Sequence, residues 1–302
     1  VELMKGRGYE IVVGGPHPSV DPEVVAKLGL RYGISGEGEV AFTKLCDALI
    51  RGEGKPEDIP GIIITNPDGE TVYTRHPELL EDLDDWLPDR EILRSPAYKL
   101  PFVGQIEVAL SSRGCPYACP FCYCSSASPN SMFNKSRWVS IDTMLADLRD
   151  AVQTYQPGYI EMIDETFTVD RGYVTQLCEG IIDQGIKFSW GAKTRVDLID
   201  EDLLALMRRA GLRKIGFGLE SGVYDLRRDM TKDFSNERVK QIFDACRRLG
   251  IDTGCTIVFG HPKETRSDMQ TSVDFVKHIR ADYAEFHIMV LIPKTKLFEQ
   301  AV

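Results

Sequence analysis

Three cysteines within eight residues are the part of this sequence whose chemistry is easiest to infer. Cys115, Cys119 and Cys122 form the pattern C-x3-C-x2-C. Structural zinc sites usually take four ligands from two separated cysteine pairs, so a single loop with three unevenly spaced thiolates does not fit that class. Three thiolates can each bind a different iron of a cubane cluster and leave the fourth iron open to another ligand. The pattern therefore predicts a reactive iron–sulfur site, with ordinary buried cysteines as the alternative.

The residues around these cysteines favour an irregular loop. Pro116 and Pro120 prevent a continuous helix, and Gly114 allows an unusual backbone conformation where the loop begins. Cys124 breaks the pattern; it could be a spare ligand or a reactive thiol, but a packed side chain is the favoured interpretation. The other cysteines are expected in the core, on apolar helix faces or in a strand: Cys46, Cys178, Cys246 and Cys255.

From Ile106 onward, strand and helix patterns alternate. The predicted strands are apolar runs at 106–111, 159–163, 187–192, 214–219, 253–259 and 284–292. Between them lie amphipathic helices with expected N-caps at Asp170, Asp200 and Ser235, and with glycine stops at 185, 211 and 250. Six strand–helix units in a row predict a partial (β/α)6 parallel barrel that is truncated in its last helix.

Polar residues follow the predicted strands at the end where parallel barrels carry their functional groups. They are Asp164 and Glu165 after the second strand, Lys193 and Arg195 after the third, Glu220 and Ser221 after the fourth, and Gly260 and His261 after the fifth. The sixth strand is expected to end at Ile292-Pro293. Each residue alone is more often a helix cap or a surface ion pair, but their shared position favours a functional site.

The cysteine pattern resembles that of the radical SAM superfamily, because Phe121 stands directly before the last cysteine and the loop follows the first strand of a six-unit barrel. The resemblance runs from about Ile106 to the end of the sequence. It implies a 4Fe-4S cluster on Cys115, Cys119 and Cys122, whose open iron is chelated by S-adenosylmethionine. Electron transfer from an external donor such as flavodoxin or ferredoxin then yields a 5′-deoxyadenosyl radical.

The same resemblance implies individual contacts to S-adenosylmethionine. The acidic pair after the second strand would bind the methionine amino group, and Arg195 would bind the methionine carboxylate. Glu220 would bind the ribose hydroxyls, and the segment around Gly260 would lie against adenine. The full implied set of cofactor-binding residues in the barrel is Phe121, Asp164, Glu165, Arg195, Glu220, Ser221, Gly260 and His261. Residues that touch the substrate catalytically are not identified.

Two glycine turns mark the N-terminal region. A strand leads into Gly14-Gly15-Pro16-His17-Pro18, a second leads into Gly36-Glu37-Gly38-Glu39, and helices follow both. This order predicts the C-terminal half of a doubly wound Rossmann-like domain, whose ligands bind at the carboxyl ends of the strands. One of the helices is expected to bury Phe42, Leu45, Cys46 and Leu49 on one face.

These turns resemble the second half of the cobalamin-binding domain that precedes many radical SAM barrels; a generic nucleotide-binding half-domain is the alternative. The resemblance implies that the full-length protein binds cobalamin, with contacts at Gly14, Gly15, Pro16, His17, Gly36 and Glu37. The D-x-H-x-x-G segment of that family is not seen and is expected before Val1. His17 is a candidate axial ligand, although an exposed residue or a tail contact is favoured there.

The sequence divides into three expected regions. Residues 1–77 form the partial cobalamin-binding-like domain, which includes a hairpin around Asn66-Pro-Asp-Gly69. Residues 78–105 form an acidic linker, for which a solvated acidic loop is the alternative, and residues 106–302 form the barrel. The net charge of −10 opposes nonspecific binding to nucleic acid. No apolar run has the length of a membrane span and no signal peptide is seen, so a cytoplasmic location is expected.

These features together predict a partial cobalamin-dependent radical SAM enzyme that methylates an unactivated carbon of a small molecule or natural-product intermediate. A radical SAM oxidative cyclase or oxidoreductase of the same family is the first alternative. A methylthiotransferase is disfavoured, because that group carries extra cluster cysteines in its N-terminal domain and this region has only Cys46. A non-catalytic iron–sulfur or cobalamin-binding protein does not explain the polar residues at the strand ends.

Overall fold

The computed structural model describes residues 2–91, 99–100, 104–125 and 132–302. The chain divides into two compact units. The first comprises Val1–Glu81, Pro120–Phe133 and Leu291–Val302, and the second comprises Asp82–Cys119 and Asn134–Val290. In the described part of the chain, no helix is both long enough and apolar enough to cross a membrane.

The first unit contains a four-stranded mixed sheet. Its strands, in chain order, are β1 (Val12–Val13), β2 (Tyr32–Ile34), β3 (Ile62–Thr65) and β4 (Thr71–Tyr73). Strands β1 and β2 are parallel, whereas β2, β3 and β4 pair in antiparallel fashion. The parallel pair agrees with the expected half of a doubly wound domain, and the hairpin extends it.

The predicted hairpin turn is confirmed. The backbone N–H of Asn66 donates to the carbonyl of Glu70 at 2.8 Å, and the N–H of Gly69 donates to the carbonyl of Asn66 at 2.8 Å. Gly69 has a φ of 82°, a conformation that glycine adopts without steric cost. Local turn chemistry therefore determines how β3 and β4 are joined.

The helices of the first unit correct two expectations. Those of its N-terminal segment include α1 (Glu2–Lys5), α2 (Pro16–Val20), α3 (Val24–Lys27) and α4 (Gly38–Cys46). Residues 16–18 were expected in a glycine turn, yet they begin a short helix, because proline fits the first helical turn and Gly15 precedes it with a φ of 97°. Gly38 and Glu39 likewise begin α4.

The buried face of α4 also differs from the prediction. Phe42 and Leu49 are 49% and 40% exposed, so their assignment to the buried face was wrong, and Cys46 is half-buried. The helix instead packs Ala41 and Leu45 into a cluster that includes Tyr32, Ile34 and Ile62, and Ala48, in the π-helical turn Asp47–Arg51 that continues α4, lies against it. Small alanines let the helix approach the sheet closely, and a helical periodicity alone does not fix which stripe faces it.

The second unit is built on a sheet of six parallel strands, the half-barrel that the sequence predicts. Its strands are β5 (Lys99–Leu100), β6 (Gly104–Ala109), β7 (Ser112–Arg113), β8 (Arg137–Trp138), β9 (Tyr159–Met162), β10 (Trp190–Thr194), β11 (Leu212–Glu220), β12 (Asp252–Phe259) and β13 (Tyr283–Ile288). The order in the large sheet is β13-β12-β11-β10-β9-β6-β5, with β5 antiparallel at the edge. Strands β7 and β8 form a separate antiparallel pair.

Helices connect the parallel strands. They are α5 (Ile141–Asp150), α6 (Arg171–Asp183), α7 (Glu201–Arg209), α8 (Tyr224–Asp229), α9 (Asn236–Leu249) and α10 (Arg266–Ile279); α11 (Lys296–Ala301) belongs to the first unit. The expected N-caps are confirmed, since the side chains of Asp170, Asp200 and Ser235 each accept a backbone N–H of their own helix. The rings of Phe217 and Phe243 lie 5.2 Å apart, which shows the apolar face of β11 packing on α9.

Most strand boundaries differ from the prediction by one or two residues, and two differ by more. The third strand begins at Trp190 rather than 187, where the indole Nε1 donates to the carbonyl of Ala210 at 2.9 Å. The sixth strand ends at Ile288 rather than 292, because its neighbour β12 ends at Phe259 and offers no further pairing groups. Apolar composition alone does not indicate where the neighbouring strand ends and backbone hydrogen bonding between the strands stops.

Part of the acidic segment is fixed on the second unit. The carboxylate of Asp84 accepts from the backbone N–H of Ser140 at 2.7 Å and from the hydroxyl of Thr143 at 2.9 Å. Arg90 forms ion pairs with Asp147 at 2.5 Å and Glu107 at 3.3 Å. Residues 92–98 and 101–103 of the expected linker lie outside the described residues, and the boundaries 78–105 stay a prediction.

Candidate cofactor site

The cysteine loop follows β6 and the short strand β7. Gly114 has a φ of 86°, as its role at the start of the loop requires, and 114–119 form neither helix nor strand. The Sγ of Cys115 lies 3.5 Å from the hydroxyl of Thr166, and Cys119 is buried. Cys122 and Phe121 belong to the first unit and are half-buried.

The structure does not present the loop as a formed metal site. Within 2–91, 99–100, 104–125 and 132–302, no three histidine, cysteine or carboxylate side chains are grouped closely enough to hold a metal ion. The assignment of the three cysteines to a cluster stays a prediction from the sequence. The thiols expected in the core are buried at Cys178, Cys246 and Cys255, and Cys124 is also buried.

Asp164 anchors the segment that leads into the cysteine loop. Its carboxylate accepts from the hydroxyls of Ser111 and Ser112 at 2.8 and 2.5 Å, and from the backbone N–H of Ser111 at 3.4 Å. Burial raises the pKa of Asp164, and these hydrogen bonds oppose the rise. Three donors from the chain therefore occupy the carboxylate that was expected to bind an amino group, whereas the adjacent Glu165 is exposed.

Arg195 lies beside the cysteine loop, directly after β10. Its Nε and Nη2 bond to Asp197 at 3.0 and 2.9 Å, and Nη2 also donates to the carbonyl of Thr231 at 3.1 Å. The guanidinium carbon is 4.0 Å from the ring centroid of Tyr117, which lies between the first two cysteines of the loop. The other nitrogen, Nη1, is buried and has no hydrogen-bond partner among the described residues.

Arg195 carries a positive charge in the folded protein. Burial on its own lowers the pKa of this guanidinium, but the hydrogen bonds and charge of Asp197 outweigh burial and raise it. A buried N–H without a partner is rare in folded proteins, since it loses its hydration without replacement. Nη1 is therefore suited to an anionic ligand. Lys193, from the same strand end, is exposed and 3.9 Å from Glu285.

Glu220 ends β11 in a buried ion pair. Its Oε1 lies 2.5 Å from the Nζ of Lys232, and both side chains are 8% exposed. The ammonium group also donates to the carbonyl of Gly218 at 2.7 Å. Glu220 has a φ of 65°, which is uncommon for a residue other than glycine and is found where the surrounding structure enforces it.

The remaining strand-end candidates are held by their neighbours. Ser221 is fully buried, and its hydroxyl lies 3.3 Å from that of Ser272 and accepts from the backbone of Val223. His261 is buried, which lowers its pKa, and its Nδ1 accepts from the backbone of Lys263 at 3.3 Å. Gly260 is exposed with a φ of 100°.

In the first unit, the two glycine segments meet at Ser19. Its hydroxyl donates to the carbonyl of Gly15 at 2.7 Å and accepts from the backbone N–H of Gly36 at 2.8 Å. Glu37 accepts from the backbone of Leu80 at 2.8 Å. The remaining candidates of the first turn, Gly14, Pro16 and His17, are exposed; His17 is 67% exposed and lies 4.0 Å from Asp21.

Several residues of the site were missed by the sequence analysis: Ser19, Tyr117, Thr166, Asp197 and Lys232. A signal existed for Tyr117, an aromatic residue inside the cysteine loop, and for Asp197, an acid two positions after an arginine. Lys232 is twelve residues from Glu220, and no local pattern relates the two.

The chain belongs to the radical SAM superfamily of enzymes, because residues 110–276, more than half of its length, match the model of that family. The four-iron cluster and S-adenosylmethionine expected from the sequence are the cofactors of this superfamily. The half-barrel and the cysteine loop lie largely within the matched residues.

Individual proteins resemble the chain over nearly its whole length. An uncharacterized methyltransferase of Pyrococcus horikoshii is 28% identical over 97% of this chain and 63% of its own length. The anaerobic magnesium-protoporphyrin IX monomethyl ester cyclase of Rubrivivax gelatinosus is 27% identical over 93% of the chain and 54% of its own length. The chain thus spans between half and two thirds of these relatives.

A solved structure shows the same fold. It is the radical S-adenosylmethionine methyltransferase TsrM from Kitasatospora setae, with cobalamin and a [4Fe-4S] cluster bound. The TM-score is 0.76 at 19% identity, over 95% of this chain and 56% of that one.

Burial of Asp164 predicts a pH-dependent difference between the protein and its Asp164→Asn variant. A carboxyl pKa raised above its ordinary 3.8 means that the folded state keeps a proton that the unfolded state releases, so this group's contribution to stability falls as pH rises above 3.8. Asparagine lacks this titration. The variant should therefore gain stability relative to the wild type as pH rises from 3.8 through the raised pKa, by about 1.4 kcal/mol for each tenfold difference in proton affinity.

Urea unfolding at a series of pH values measures this difference. Ser112→Ala removes a hydroxyl that stabilises the carboxylate and should steepen the dependence seen for the wild type. A constant offset between Asp164→Asn and the wild type across the whole range would contradict the prediction.

Proposed function

We propose that this chain is the cofactor-binding part of a cobalamin-dependent radical SAM methyltransferase that acts on an unactivated carbon of a small molecule or natural-product intermediate. The observation that carries the proposal is the C-x3-C-x2-C loop directly after the first strand of the half-barrel, with the buried cation of Arg195 against Tyr117 of that loop. When bound, the cluster and S-adenosylmethionine supply one-electron cleavage of the sulfonium, and cobalamin supplies a transferable methyl group.

The chain's residues fit the amino-acid end of S-adenosylmethionine. Cys115, Cys119 and Cys122 would hold the cluster. Nη1 of Arg195, buried without a partner, would donate to the methionine carboxylate, because charge-assisted hydrogen bonds to carboxylates are the strong ones. Since Asp164 is occupied by Ser111 and Ser112, we assign it to positioning the loop and assign the amino group to Glu165.

The nucleoside end fits the next two strands. Lys232 engages only Oε1 of Glu220, so Oε2 would accept from the ribose hydroxyls. Gly260, exposed and without a side chain, would let the backbone lie against adenine beside His261. Ser221 contributes through the turn that its hydroxyl holds and not through direct contact.

The turns joined by Ser19 support the cobalamin assignment. A Cβ atom on Gly15 would meet nothing within 4 Å, so the surface above this glycine is open to a large flat ligand. Gly14, Gly15, Pro16 and His17 would contact one region of the corrin, and Gly36 and Glu37 another. TsrM, which shares the fold, binds cobalamin.

An oxidative cyclase is the second candidate, favoured by the likeness to the cyclase of Rubrivivax gelatinosus over 93% of the chain. Both reactions need a small-molecule substrate and an electron donor such as flavodoxin or ferredoxin. Methyl-labelled S-adenosylmethionine separates them, since only the methyltransferase transfers the label to its product.

The cluster assignment is tested by replacing Cys115, Cys119 or Cys122 with Ala. A cubane held by two protein thiolates is poorly retained, so each variant should lose the cluster absorbance and S-adenosylmethionine cleavage after anaerobic reconstitution. Cys178→Ala, at a buried position of α6, is the matched control and should keep its iron. Zinc in place of iron in the anaerobically prepared wild type would exclude the assignment.

The Arg195 assignment predicts a loss of binding without a loss of iron. Arg195→Gln should keep the cluster but weaken S-adenosylmethionine binding by about 1–3 kcal/mol, as expected for a lost charge-assisted hydrogen bond. Equilibrium dialysis under anaerobic conditions measures the affinity. The control Arg171→Gln removes an exposed arginine paired with Asp200 and should change nothing. Equal affinities in all three proteins would show that Arg195 does not contact the ligand.

The cobalamin assignment predicts different outcomes for two neighbouring residues in the full-length protein. Gly14→Val adds bulk at an exposed position next to Gly15, with its Cβ in ordinary contact with Ile34 at 3.7 Å, and should weaken hydroxocobalamin binding at least tenfold, on the order of 1.4 kcal/mol. His17→Ala should leave the absorption spectrum of bound cobalamin, and its EPR spectrum after reduction to cob(II)alamin, unchanged, because the exposed His17 is proposed as a peripheral contact and not as the cobalt ligand. Loss of a nitrogen-ligated cobalt signal in His17→Ala would make His17 the ligand.

A further inference from the structure

We propose that Lys232 is a positioning residue that sets the carboxylate of Glu220 to receive the ribose of S-adenosylmethionine. The inference rests on the proposed function, in which Glu220 contacts the nucleoside. The observations that carry it are a β-bulge, a space left by a glycine, and a turn that is held on both sides.

The bulge redirects Glu220. In the pairing of β11 with β12, Gly218 lies opposite Thr256 and Glu220 lies opposite Ile257, so Leu219 is an extra residue. A bulge at the rim of a barrel typically re-aims a side chain. The φ of 65° at Glu220 completes the change of direction at the strand end.

The ion pair lies in the space of a missing side chain. A Cβ atom on Gly218 would lie 2.5 Å from Nζ of Lys232 and 2.6 Å from Oε1 of Glu220. The two charged groups therefore pack directly over the backbone of β11. This leaves the pair little freedom to take another arrangement.

Lys232 fixes one oxygen of the Glu220 carboxylate, Oε1, and leaves Oε2 able to bind another group. Its ammonium group bonds to Oε1 of Glu220 and to the carbonyl of Gly218 at the same time, which defines its position from two directions. No hydrogen bond from the described residues reaches Oε2. The ammonium thus compensates the burial of the carboxylate while Oε2 stays able to accept a hydroxyl.

The turn that carries Lys232 is held on both sides. Arg195 donates to the carbonyl of Thr231, which has a φ of 60°, and the fully buried Arg227 donates to the carbonyl of Phe234 at 2.8 and 3.2 Å. The residue proposed to bind the methionine carboxylate therefore also holds the turn that presents Lys232. The turn that contains Thr231 and Lys232 therefore helps to position both Arg195, at the methionine end of the ligand, and Glu220, at its ribose end.

The test compares S-adenosylmethionine with its 2′,3′-dideoxyribose analogue, by anaerobic equilibrium dialysis on cluster-loaded protein. The wild type should bind the analogue at least tenfold more weakly, because a site built to bond a hydroxyl rejects a ligand that lacks it. Lys232→Met should weaken S-adenosylmethionine binding about tenfold and change analogue binding less than twofold, so that the preference disappears. Lys232→Arg, which keeps the positive charge, should retain part of the preference for S-adenosylmethionine over the analogue.

Two further variants make the result decisive. Gly218→Ala displaces the ion pair without removing either charge and should reduce the preference in the same way; it decides the question if Lys232→Met does not fold. Lys240→Met, an exposed lysine of α9 bonded to Asp244, is the control and should behave as wild type. Iron content and circular dichroism confirm that each variant is intact.

Glu220→Gln distinguishes a failure of the nucleoside assignment from a failure of the proposed role of Lys232. If it leaves the preference for the ribose hydroxyls intact, the nucleoside assignment of the proposed function is wrong. If it removes the preference but Lys232→Met and Gly218→Ala do not, the role of Lys232 alone is overturned. Equal weakening of both ligands in Lys232→Met would show a merely structural role and would likewise overturn it.

Discussion

The arrangement of the second unit depends on the hydrogen bonds that compensate the buried carboxylate of Asp164. Its described partners are two hydroxyls and an amide, all from Ser111 and Ser112, rather than a cation. A carboxylate removed from water needs such donors, and they are supplied only while β6 and β9 keep the register that pairs Ala109 with Met162. The start of the cysteine loop is thereby tied to the second strand, and the polar ends of the later strands are placed relative to it through the sheet.

Arg195 and Glu220, at the ends of β10 and β11, share one arrangement. Each is paired with a partner from the chain through part of its hydrogen-bonding capacity. Asp197 takes two nitrogens of Arg195 and leaves Nη1; Lys232 takes one oxygen of Glu220 and leaves Oε2. A partner that uses only some of the hydrogen-bonding atoms holds the charged side chain in one orientation before any ligand binds. This lowers the entropic cost of ordering that side chain on binding.

Local signals allowed much of the fold to be predicted, whereas long-range partners could not be. The caps at Asp170, Asp200 and Ser235 were predictable because a cap depends on residues three positions apart. The buried face of α4 was not, because helical periodicity left two apolar stripes and the sheet beneath selected the one with small residues. The carboxyl ends of the parallel strands predict where the candidate site lies. The partner residues could not be predicted, because Lys232 is 12 residues from Glu220 and Ser111 is 53 residues from Asp164.

Because Gly218 has no side chain, the residues allowed at positions 218, 220 and 232 depend on one another. A larger residue there would collide with both members of the ion pair, so it can be accepted only if the side chains at 220 and 232 move or are replaced. Conversely, shorter side chains at 220 and 232 would leave a void over the strand that a larger residue at 218 could fill. Across proteins that share this strand end, the three positions are expected to vary as one unit, and a glycine at 218 should accompany an acid at 220 and a long cation at 232.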